Sequence, residues 1–574
     1  MMAGLETLSA DILILGGGGA GTLAALHASD RPGLKVVVAV KGLLGKSGCT
    51  RMVQGGYNAV LHPDDSIDRH FLDTLRGGAF INDQELVWIL VNRAPQMVAE
   101  LENRYGCFFD RNPDGTIHQK PFGGQTFDRT VHRGDLTGIE VMERLRTALL
   151  ARDSVLILEE HRAVGLLRDR GGGRVCGAVL LDIRRGTFVV VRARATLLAT
   201  GGGPTMYRMA TPSREKSLDG VVLAWQAGAL LMDMEMVQFH PTALVVPGSE
   251  LNGAVLEEGL RGAGAYLLNN LGERFMARYD PDRMERSTRD IVSRACYLEI
   301  AAGRGTPGGG VWLDISHLGR ARVEALFPGM VERTRAAGFD LAAGPVEVCP
   351  AAHFIMGGVV IDEGCHTTIP GLYAAGEDAA GVQGANRLGG NGVAESTVFG
   401  ALAGDVMAEE VVGTPLLEPD PDEVRAHIET ATAPLRRESG EDVYGLLDRL
   451  RELMWAKVGV VRSRSGLESA LAELAELKER ADRVKVQDPA PAFNPEWQQA
   501  LNLRSLVAAS ELVAASALFR TESRGAHYRA DFPAQDDENW LCNVTVVRAG
   551  DGFRLGKRPA RLTRINPLVG ERRS

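Results

Sequence analysis

The sequence predicts an α/β fold built on an open, mostly parallel sheet. An apolar run at residues 11–16 leads into a glycine-rich turn at residues 16–21. Two further apolar runs, at residues 195–203 and 371–377, also lead into glycines. In such sheets, ligands bind in the crevice outside the carboxyl ends of the strands. We therefore expect these three strand ends to line one crevice in a Rossmann-like nucleotide-binding domain.

The elements at the amino terminus are, in order, a strand, a helix and a second strand. Residues 11–16 are almost continuously apolar, as in a strand buried on both faces. Residues 22–29 are rich in alanine and leucine, which favour a helix, and residues 35–40 are rich in valine, which favours a strand. This order predicts a βαβ unit with the glycine turn at its first junction.

The chain of 574 residues is too long for a single core, and its segments divide into four parts. Residues 1–235 and 350–410 carry the strand–glycine segments, so we expect them to form one discontinuous nucleotide-binding domain. Residues 236–349 lie between its halves and are expected to form an inserted α+β capping domain that contacts substrate. We expect a helical domain at residues 411–520 and a loop-rich C-terminal region at residues 521–574.

Two segments of the predicted helical domain show the spacing of an amphipathic helix. Leucines and one methionine repeat at helical intervals in residues 446–454, and leucines do so in residues 467–474. The proline-rich residues 487–495 predict a turn between two helices.

Composition excludes several classes of function. There are 64 Lys and Arg against 73 Asp and Glu, a net charge of −9, which argues against nucleic-acid binding. An anionic substrate would therefore need a local cationic site. The seven cysteines are scattered without a CxxC pair, so we expect neither disulfides nor a metal site. With no signal peptide and no apolar run of about 18 residues, we expect a cytoplasmic chain without a membrane span.

The glycine turn fits the role of a phosphate-binding loop. Gly16 would make the turn, Gly18 would let a pyrophosphate approach, and Gly21, one residue after Ala20, would let the helix meet the strand. A glycine turn without a ligand is the alternative, but the flanking strand and helix favour a dinucleotide. The second strand leads into Lys41 where an NAD site has an acidic residue, which weakens an NAD interpretation.

Four segments far apart in the chain each contain a histidine or an arginine of interest. They contain His240, Arg289, His353 and Arg387. A dicarboxylate needs a cation or hydrogen-bond donor at each end, and arginine matches a carboxylate bidentately. Hydride transfer to carbon also needs an acid or base for the neighbouring carbon. A lone histidine is ordinarily a core residue and a lone arginine part of a surface ion pair, but the match of all four segments, in order, to one protein family makes that explanation improbable for the set.

These segments and the glycine turn resemble the flavoprotein subunit of the succinate dehydrogenase and fumarate reductase family over nearly the whole chain. The resemblance implies that the nucleotide is FAD and that fumarate and succinate are interconverted by hydride transfer. It also implies that electrons pass to or from an iron–sulfur partner subunit, with or without a membrane anchor. That partner would hold the chain on the cytoplasmic face of the cell membrane.

The resemblance assigns the proton relay to Arg289 and carboxylate binding to His240, His353 and Arg387. It adds three substrate-binding residues, which are Phe122, Gly56 and Glu258.

Two positions bear on the substrate. The phenylalanine at Phe122 matches the succinate and fumarate branch, whereas the related L-aspartate oxidases have a glutamate there. Glu257 stands where the family has a carboxylate-binding threonine, and a carboxylate there would repel the substrate unless it points away or is neutralised.

The same resemblance implies the cofactor contacts. Asp219 lies in a Gly/Asp turn that helps bind FAD, and Glu377 matches the residue that meets the flavin's ribose. Cys49 replaces the histidine that carries the covalent flavin link, so we expect non-covalent FAD beside a small thiol, with a thioether as the alternative. The other implied contacts lie in matching segments of small residues, apart from the glycine turn and Lys41: Ser47, Thr50, Gln54, Gly55, Gly56, Thr200, Gly201, Arg387, Asn391, Gly392 and Val393.

Three other functions compete with this interpretation. L-aspartate oxidase is the first, and Phe122 and the acidic tail at residues 536–540 count against it. Adenylylsulfate reductase is the second, and the histidine and arginine set suits dicarboxylates better. A flavin-binding scaffold without activity is the third, and the retention of all four polar residues argues against it.

Overall fold

The computed structural model describes residues 5–568. Its strands, in chain order, are β1 Glu6–Leu15, β2 Val36–Val40, β3 Tyr57–Asn58, β4 Gln119–Lys120, β5 Thr130–Val131, β6 Val155–Glu159, β7 His161–Arg168, β8 Val175–Asp182, β9 Thr187–Leu198, β10 Leu231–Met232, β11 Val237–Leu244, β12 Tyr266–Leu268, β13 Val311–Asp314, β14 Val346–Ile355, β15 Gly358–Val360, β16 Leu372–Ala374, β17 Ala379–Ala380, β18 Cys542–Ala549 and β19 Gly552–Pro559. Its α-helices are α1 Gly19–Ala28, α2 Ile67–Gly77, α3 Gln84–Asn103, α4 Thr137–Leu150, α5 Asp219–Gln226, α6 Gly259–Gly262, α7 Met276–Tyr279, α8 Arg289–Glu299, α9 Arg320–Leu326, α10 Pro328–Ala336, α11 Asn391–Glu410, α12 Pro421–Arg436, α13 Val443–Lys457, α14 Arg464–Ala481, α15 Pro495–Phe519 and α16 Asp537–Trp540.

The central sheet has the strand order β6-β2-β1-β9-β8-β7, and β16 pairs with the end of β9. The pairs β1–β2, β1–β9, β2–β6 and β9–β16 are parallel. Every residue of β2 is buried, and so are the last four of β1, because α1 and other elements cover the sheet. Buried strands of this kind explain the continuous apolar runs in the sequence.

The three strand ends predicted to share a crevice lie side by side. In the register of the sheet, Leu15 at the end of β1 and Ala374 at the end of β16 both align with Leu198 at the end of β9. The glycine turn, the loop after β9 and the loop after β16 therefore begin at one edge of the sheet. The α/β fold with a parallel core agrees with the prediction.

The segment between the two halves of the sheet forms a separate layer. Its four-stranded antiparallel sheet has the order β11-β14-β13-β12, with helices α6 to α10 around its own apolar core. The chain enters this layer along β11 and leaves it along β14, and these two strands pair with each other. Residues on both strands therefore stand at the junction with the central sheet.

Helices α12 to α15 follow the central sheet, and α13 and α14 coincide with the predicted amphipathic segments. Helix α15 is long and apolar enough to cross a membrane, although the sequence shows no unbroken apolar run of that length. In the structure, 72% of its most apolar window is buried. A helix that is apolar on all sides can also form the interior of a large protein, and α15 packs against α13 and α14.

The C-terminal region contains more regular structure than its polar sequence predicts. Strands β18 and β19 form a hairpin, and β18 extends a five-stranded sheet of order β17-β15-β10-β18-β19. Only Val544 and Val546 give β18 a fully buried alternating face, and β19 is a half-exposed edge strand with basic residues. Such a short alternation is a weak sequence signal.

Candidate active site

A cavity of about 570 Å³ opens where β1, β9 and β16 end, and residues of the inserted layer form its opposite wall. A smaller cavity of about 60 Å³ lies beside the glycine turn. The two cavities are contiguous because their walls share Gly18, Ser47, Gly48, Gly201 and Lys216. Contiguous cavities at the strand ends provide room for a dinucleotide and a small substrate.

The glycine turn holds the backbone closer than any side chain would permit. A Cβ atom on Gly16 would lie 2.0 Å from the carbonyl oxygen of Ala199, and one on Gly21 would lie 2.0 Å from the carbonyl oxygen of Gly16. Helix α1 begins at Gly19, whose N–H donates to Thr50 Oγ1 at 3.1 Å. The positive end of α1 therefore faces the cavities, as a phosphate site requires.

Lys41 and Asp219 line the smaller cavity as an ion pair. Lys41 Nζ lies 2.9 Å from Asp219 Oδ2 and also donates to Asn502 Oδ1 at 2.7 Å. Burial and the nearby Arg162 lower the pKa of Lys41 to about 8 against the opposite influence of Asp219. Although burial opposes ionisation of Asp219, Arg162 and Lys41 hold its pKa well below the ordinary value. Both residues predicted to contact the cofactor thus lie in the wall of the smaller cavity.

Glu377 and its neighbour organise the loops after β9 and β16. Glu377 lines the larger cavity, accepts a hydrogen bond from the N–H of Ile355 at 3.1 Å, and has a pKa raised to about 7 by burial. Asp378 accepts from Thr200 Oγ1 at 3.0 Å and from the N–H of Gly201 at 3.2 Å. Asp378 was not predicted, and its position directly after Glu377 was the only signal in the sequence.

The segment before β3 passes along the floor of the larger cavity. Cys49 lines this cavity, and burial raises the pKa of its thiol to about 11. Gln54 Nε2 donates to the carbonyl oxygen of Val255 at 3.1 Å, which joins this segment to the inserted layer. A Cβ atom on Gly55 would lie 2.3 Å from Phe122 Cζ, so the Phe122 ring lies directly on this glycine. Other predicted cofactor residues in the same wall are Ala20, Ser47, Thr50, Gly56, Gly392 and Val393.

The side chain of Asn391 turns away from the cavity. It contacts Asn58 Nδ2 at 2.8 Å, His70 Nε2 at 3.1 Å and Thr74 Oγ1 at 3.1 Å, and it is fully buried. These contacts fix the start of helix α11. Asn391 itself does not line either cavity, whereas the glycines on either side of it line the larger one.

Two neutral histidines stand next to each other at the base of the inserted layer. His240 on β11 and His353 on β14 have ring centroids 5.1 Å apart. His353 Nδ1 shares a 2.6 Å hydrogen bond with Thr211 Oγ1, and His240 Nδ1 accepts from the N–H of Thr242 at 3.3 Å. Burial, followed by the charge of Arg289, lowers the pKa of both rings well below the ordinary value. Both rings are thus neutral hydrogen-bonding groups at pH 7.

Arg289 begins helix α8 and forms a chain of charges with Glu258 and Arg261. Its Nε and Nη2 atoms both lie 2.7 Å from Glu258 Oε2, and its Nη1 donates to Gln238 Oε1 at 3.1 Å. The other oxygen of Glu258 lies 3.2 Å from Arg261 Nη2 and accepts from the N–H of Gly123 at 3.0 Å. Although burial opposes ionisation, the two arginines lower the pKa of Glu258.

Arg387 places an unsatisfied cation in the cavity wall. Its guanidinium lies 4.4 Å from the centroid of Phe354, and its buried Nε has no hydrogen-bond partner among residues 5–568. Burial and the charge of Arg289 lower its pKa to about 9. The loop that carries it is held by the C-terminal region, because the N–H of Ala526 donates to the carbonyl oxygen of Ala385 at 2.9 Å. A buried arginine that lacks partners is suited to bind a carboxylate.

Glu257 lines the same cavity but is paired with a lysine. Lys120 Nζ lies 3.1 and 3.4 Å from the two carboxylate oxygens of Glu257. Burial raises the pKa of Glu257, whose side chain is almost fully buried. Asp135 and Arg333 complete this part of the wall. Sequence reasoning identified Glu257 but not its three neighbours, which come from distant segments without a shared motif.

Lys216 was also missed. It lies at the junction of the two cavities, and its Nζ donates to the carbonyl oxygen of Thr200 at 2.5 Å. It forms no ion pair within the described part of the chain. The only sequence signal was an isolated lysine directly before Ser217-Leu218-Asp219.

Two family profiles match the chain: one described as an FAD binding domain over residues 11–393, and one described as the fumarate reductase flavoprotein C-terminus over residues 447–573. The chain is 44% identical over 558 residues to one subunit of the fumarate reductase (CoM/CoB) of Methanothermobacter marburgensis, and the match covers 96% of this chain and 100% of the relative. It is 35% identical over 589 residues to the fumarate reductase flavoprotein subunit of Escherichia coli, with 98% and 96% covered.

The fold agrees with these matches. The FrdA chain of an Escherichia coli quinol fumarate reductase variant superposes with a TM-score of 0.92 at 34% identity, and 98% of each chain is covered. The profiles, the relatives and the superposed fold show that the chain belongs to the flavoprotein subunit family of fumarate reductases and succinate dehydrogenases.

Proposed function

We propose that the protein is the catalytic flavoprotein subunit that interconverts fumarate and succinate. The observation that supports this proposal most strongly is the convergence of His240, Arg289, His353, Arg387 and Phe122 in one cavity. These residues come from two strands, a helix and two loops, and the cavity is contiguous with the nucleotide crevice. The set provides cations and donors for two carboxylates, an acid for a neighbouring carbon, and an apolar ring.

The residues present fit FAD. The start of α1 and the ammonium of Lys216 would hold the pyrophosphate, because both present positive charge at the junction of the two cavities. Lys41 and Asp219 would hold the adenosine half, and Glu377 the ribose. When bound, the flavin supplies a site that gives or takes a hydride.

The protein's own side chains position the dicarboxylate and supply the proton. Arg387 and His353 bind one carboxylate, and His240 binds the other from the adjacent strand. Arg289 donates a proton to the carbon next to the one that receives the hydride. A proton lost from Arg289 is replaced through Glu258 from Arg261, since both arginines contact this carboxylate.

We propose that the flavin is held without a covalent bond. The Cys49 thiol is protonated at neutral pH because burial raises its pKa to about 11, and only a thiolate is an effective nucleophile. The flavin should therefore leave with the supernatant after acid precipitation. Flavin fluorescence that stays with the denatured polypeptide on a gel would contradict this proposal.

Fumarate reduction should be the faster direction. A covalent histidyl link withdraws electron density from the flavin and raises its potential, so a flavin without the link is the better reductant. For a two-electron couple, a change of ~30 mV corresponds to about tenfold in the equilibrium constant. Assays in both directions with matched dyes, and a titration of the flavin potential, test this point. Faster succinate oxidation with a potential above the fumarate/succinate couple would contradict it.

We further propose an iron–sulfur partner subunit, which joins two-electron chemistry at the flavin to one-electron carriers. It would hold the chain on the cytoplasmic face of the membrane, with or without an anchor. Two relatives support a partner that varies: one is named a CoM/CoB fumarate reductase and the other a quinol fumarate reductase. Identification of the subunits that copurify with the native protein tests this proposal.

L-aspartate oxidase activity is the second candidate, because Glu257 places a carboxylate in the cavity wall that could meet an amino group. Phe122 in the same wall favours a dicarboxylate without such a group. Turnover of fumarate by a reduced viologen dye and turnover of L-aspartate by an oxidised dye separate the two activities. Turnover of neither substrate by FAD-loaded protein would favour a scaffold without activity.

A further inference from the structure

Glu257 introduces a carboxylate into a cavity that otherwise presents cations and neutral donors. The residue is 2% exposed, and its carboxylate lines the same cavity as His240, Arg289 and Arg387. A substrate dianion would meet this group within a buried, weakly screened space, where like charges repel strongly. A bound dianion therefore favours the neutral form of Glu257.

Two cations and two carboxylates act on Glu257. Lys120 on β4 holds the carboxylate at 3.1 Å but is not part of the cavity wall. Asp135, which precedes α4, and Glu258, next in the chain, both add negative charge to the surroundings of Glu257. Arg333 on α10 lines the cavity, donates to the carbonyl oxygen of Val255 at 2.9 Å, and is attracted by the charges of Asp135 and Glu257. Of the Lys120–Glu257 pair, only Glu257 lines the cavity within the described part of the chain.

We infer that Glu257 takes up one proton as the dicarboxylate binds, and that the resulting carboxylic acid donates a hydrogen bond to a substrate carboxylate. Lys120 keeps Glu257 ionised while the cavity holds no dianion, and it stays next to the protonated acid afterwards. The substrate then binds as a dianion plus one proton. This inference rests on the proposed function, since it assigns a role in binding the same dicarboxylate.

The inference predicts the direction in which affinity for the dicarboxylate changes with pH. Because the complex holds one more proton than the separate partners, affinity falls as pH rises above the range where free Glu257 ionises. The dissociation constant should increase by up to tenfold for each pH unit there. Burial raises the pKa of Glu257 in the free protein, so the dependence begins above the ordinary glutamate range.

The test is calorimetry of malonate binding to FAD-loaded protein at pH 8, in buffers with different enthalpies of ionisation. The number of protons taken up follows from the slope of binding enthalpy against buffer enthalpy. His240 and His353 could also take up protons next to a dianion, so the comparison with Glu257→Gln is decisive. We expect the wild type to take up close to one proton more than Glu257→Gln. Equal numbers in the two proteins would overturn the inference.

Two lysine variants provide an independent comparison. In Lys120→Met, Glu257 loses the cation that lowers its pKa, so proton uptake should fall toward the Glu257→Gln value and the pH dependence of affinity should begin at higher pH. Lys46 also lines the cavity but pairs with Glu143 at 3.5 Å, so Lys46→Met should match the wild type. Wild-type uptake in Lys120→Met, or reduced uptake in Lys46→Met, would overturn the inference.

Fumarate reduction by the wild type with a reduced dye distinguishes failure of the inference about Glu257 from failure of the proposed function. Turnover with equal proton numbers in wild type and Glu257→Gln would overturn only the role of Glu257. Absence of turnover would overturn the proposed function, whatever the proton numbers.

Discussion

The nucleotide crevice and the substrate cavity are contiguous, but the first is formed mainly by backbone atoms and the second by side chains. The crevice depends on backbone: glycine turns and helix starts at the strand ends, where a carbon added to Gly16 or Gly21 would clash. The substrate cavity depends on the side chains of His240, Arg289, His353 and Arg387, which converge from separate elements. A turn made of backbone is encoded by a short stretch of sequence, and a single substitution in it should abolish binding of the whole cofactor. A site made of side chains is dispersed in sequence, and each member contributes a separate part of the chemistry.

The largest effect should come from adding one carbon to the backbone-built crevice. In Gly21→Ala, the new Cβ would lie 2.0 Å from the carbonyl oxygen of Gly16, so strand and helix must separate. We expect no FAD to be retained after gel filtration, and activity to be lost with it. Gly173→Ala is the matched control, because a Cβ there meets nothing within 4 Å. Stoichiometric FAD in Gly21→Ala would show that the crevice tolerates side chains.

Removing the proton donor should cost nearly as much while leaving the cofactor in place. Arg289→Ala should lower kcat by about 10²–10⁴-fold, the usual contribution of a positioned acid or base. Its FAD absorbance should remain, since Arg289 contacts Glu258 and Gln238 rather than the nucleotide crevice. Arg286, whose side chain is 55% exposed in the same segment, provides Arg286→Ala as a control with near-wild-type turnover. Retention of most activity in Arg289→Ala would show that another group supplies the proton.

Loss of a carboxylate-binding cation should change both KM and kcat. Arg387→Ala should raise KM and lower kcat, each by about tenfold or more, because the contact binds a carboxylate in the ground state and binds it more strongly in the transition state. Arg387→Lys should recover part of KM only, since an ammonium cannot bind bidentately. Steady-state kinetics at several fumarate concentrations separate the constants. A change confined to kcat would exclude a role in ground-state binding.

The smallest effect should come from Lys216, the lysine at the junction of the two cavities. Lys216→Met should weaken FAD binding about tenfold, close to ~1.4 kcal/mol, because helix α1 still holds the pyrophosphate. Fluorescence titration of the apoprotein with FAD measures this change. Lys485→Met is a suitable control, because Lys485 bonds the carbonyl oxygen of Glu438 in the helical region. An unchanged dissociation constant in Lys216→Met would show that Lys216 does not contribute to FAD binding and that the backbone alone holds the pyrophosphate.

The same contrast explains what could be predicted from sequence. The glycine turn could be identified because its function requires glycines at fixed spacing beside a strand and a helix. His240, Arg289, His353 and Arg387 were identified by their surrounding motifs, whereas spacing alone would not have placed them in one cavity.

Other features depended on tertiary placement that no local pattern records. The partner of Glu257 is Lys120, which lies 137 positions earlier in the chain. The Asn391 side chain contacts three residues from an earlier strand and helix instead of the cavity. Strand β19 is a half-exposed edge strand, so its polar sequence resembles a loop.

The insertion of one layer into another also constrains how the protein can be made. The end of β9 pairs with β16, and the chain must extend from Leu198 to Ala374 before that pairing can occur. At 5–20 residues per second, synthesis of the 176 residues from Ala199 through Ala374 takes roughly 9–35 s. During that time a nascent chain carries an incomplete parallel sheet with an unpaired strand edge, and no chain that ends before Val393 has a complete cofactor cavity. FAD can therefore join only late in translation, after the inserted layer has emerged from the ribosome.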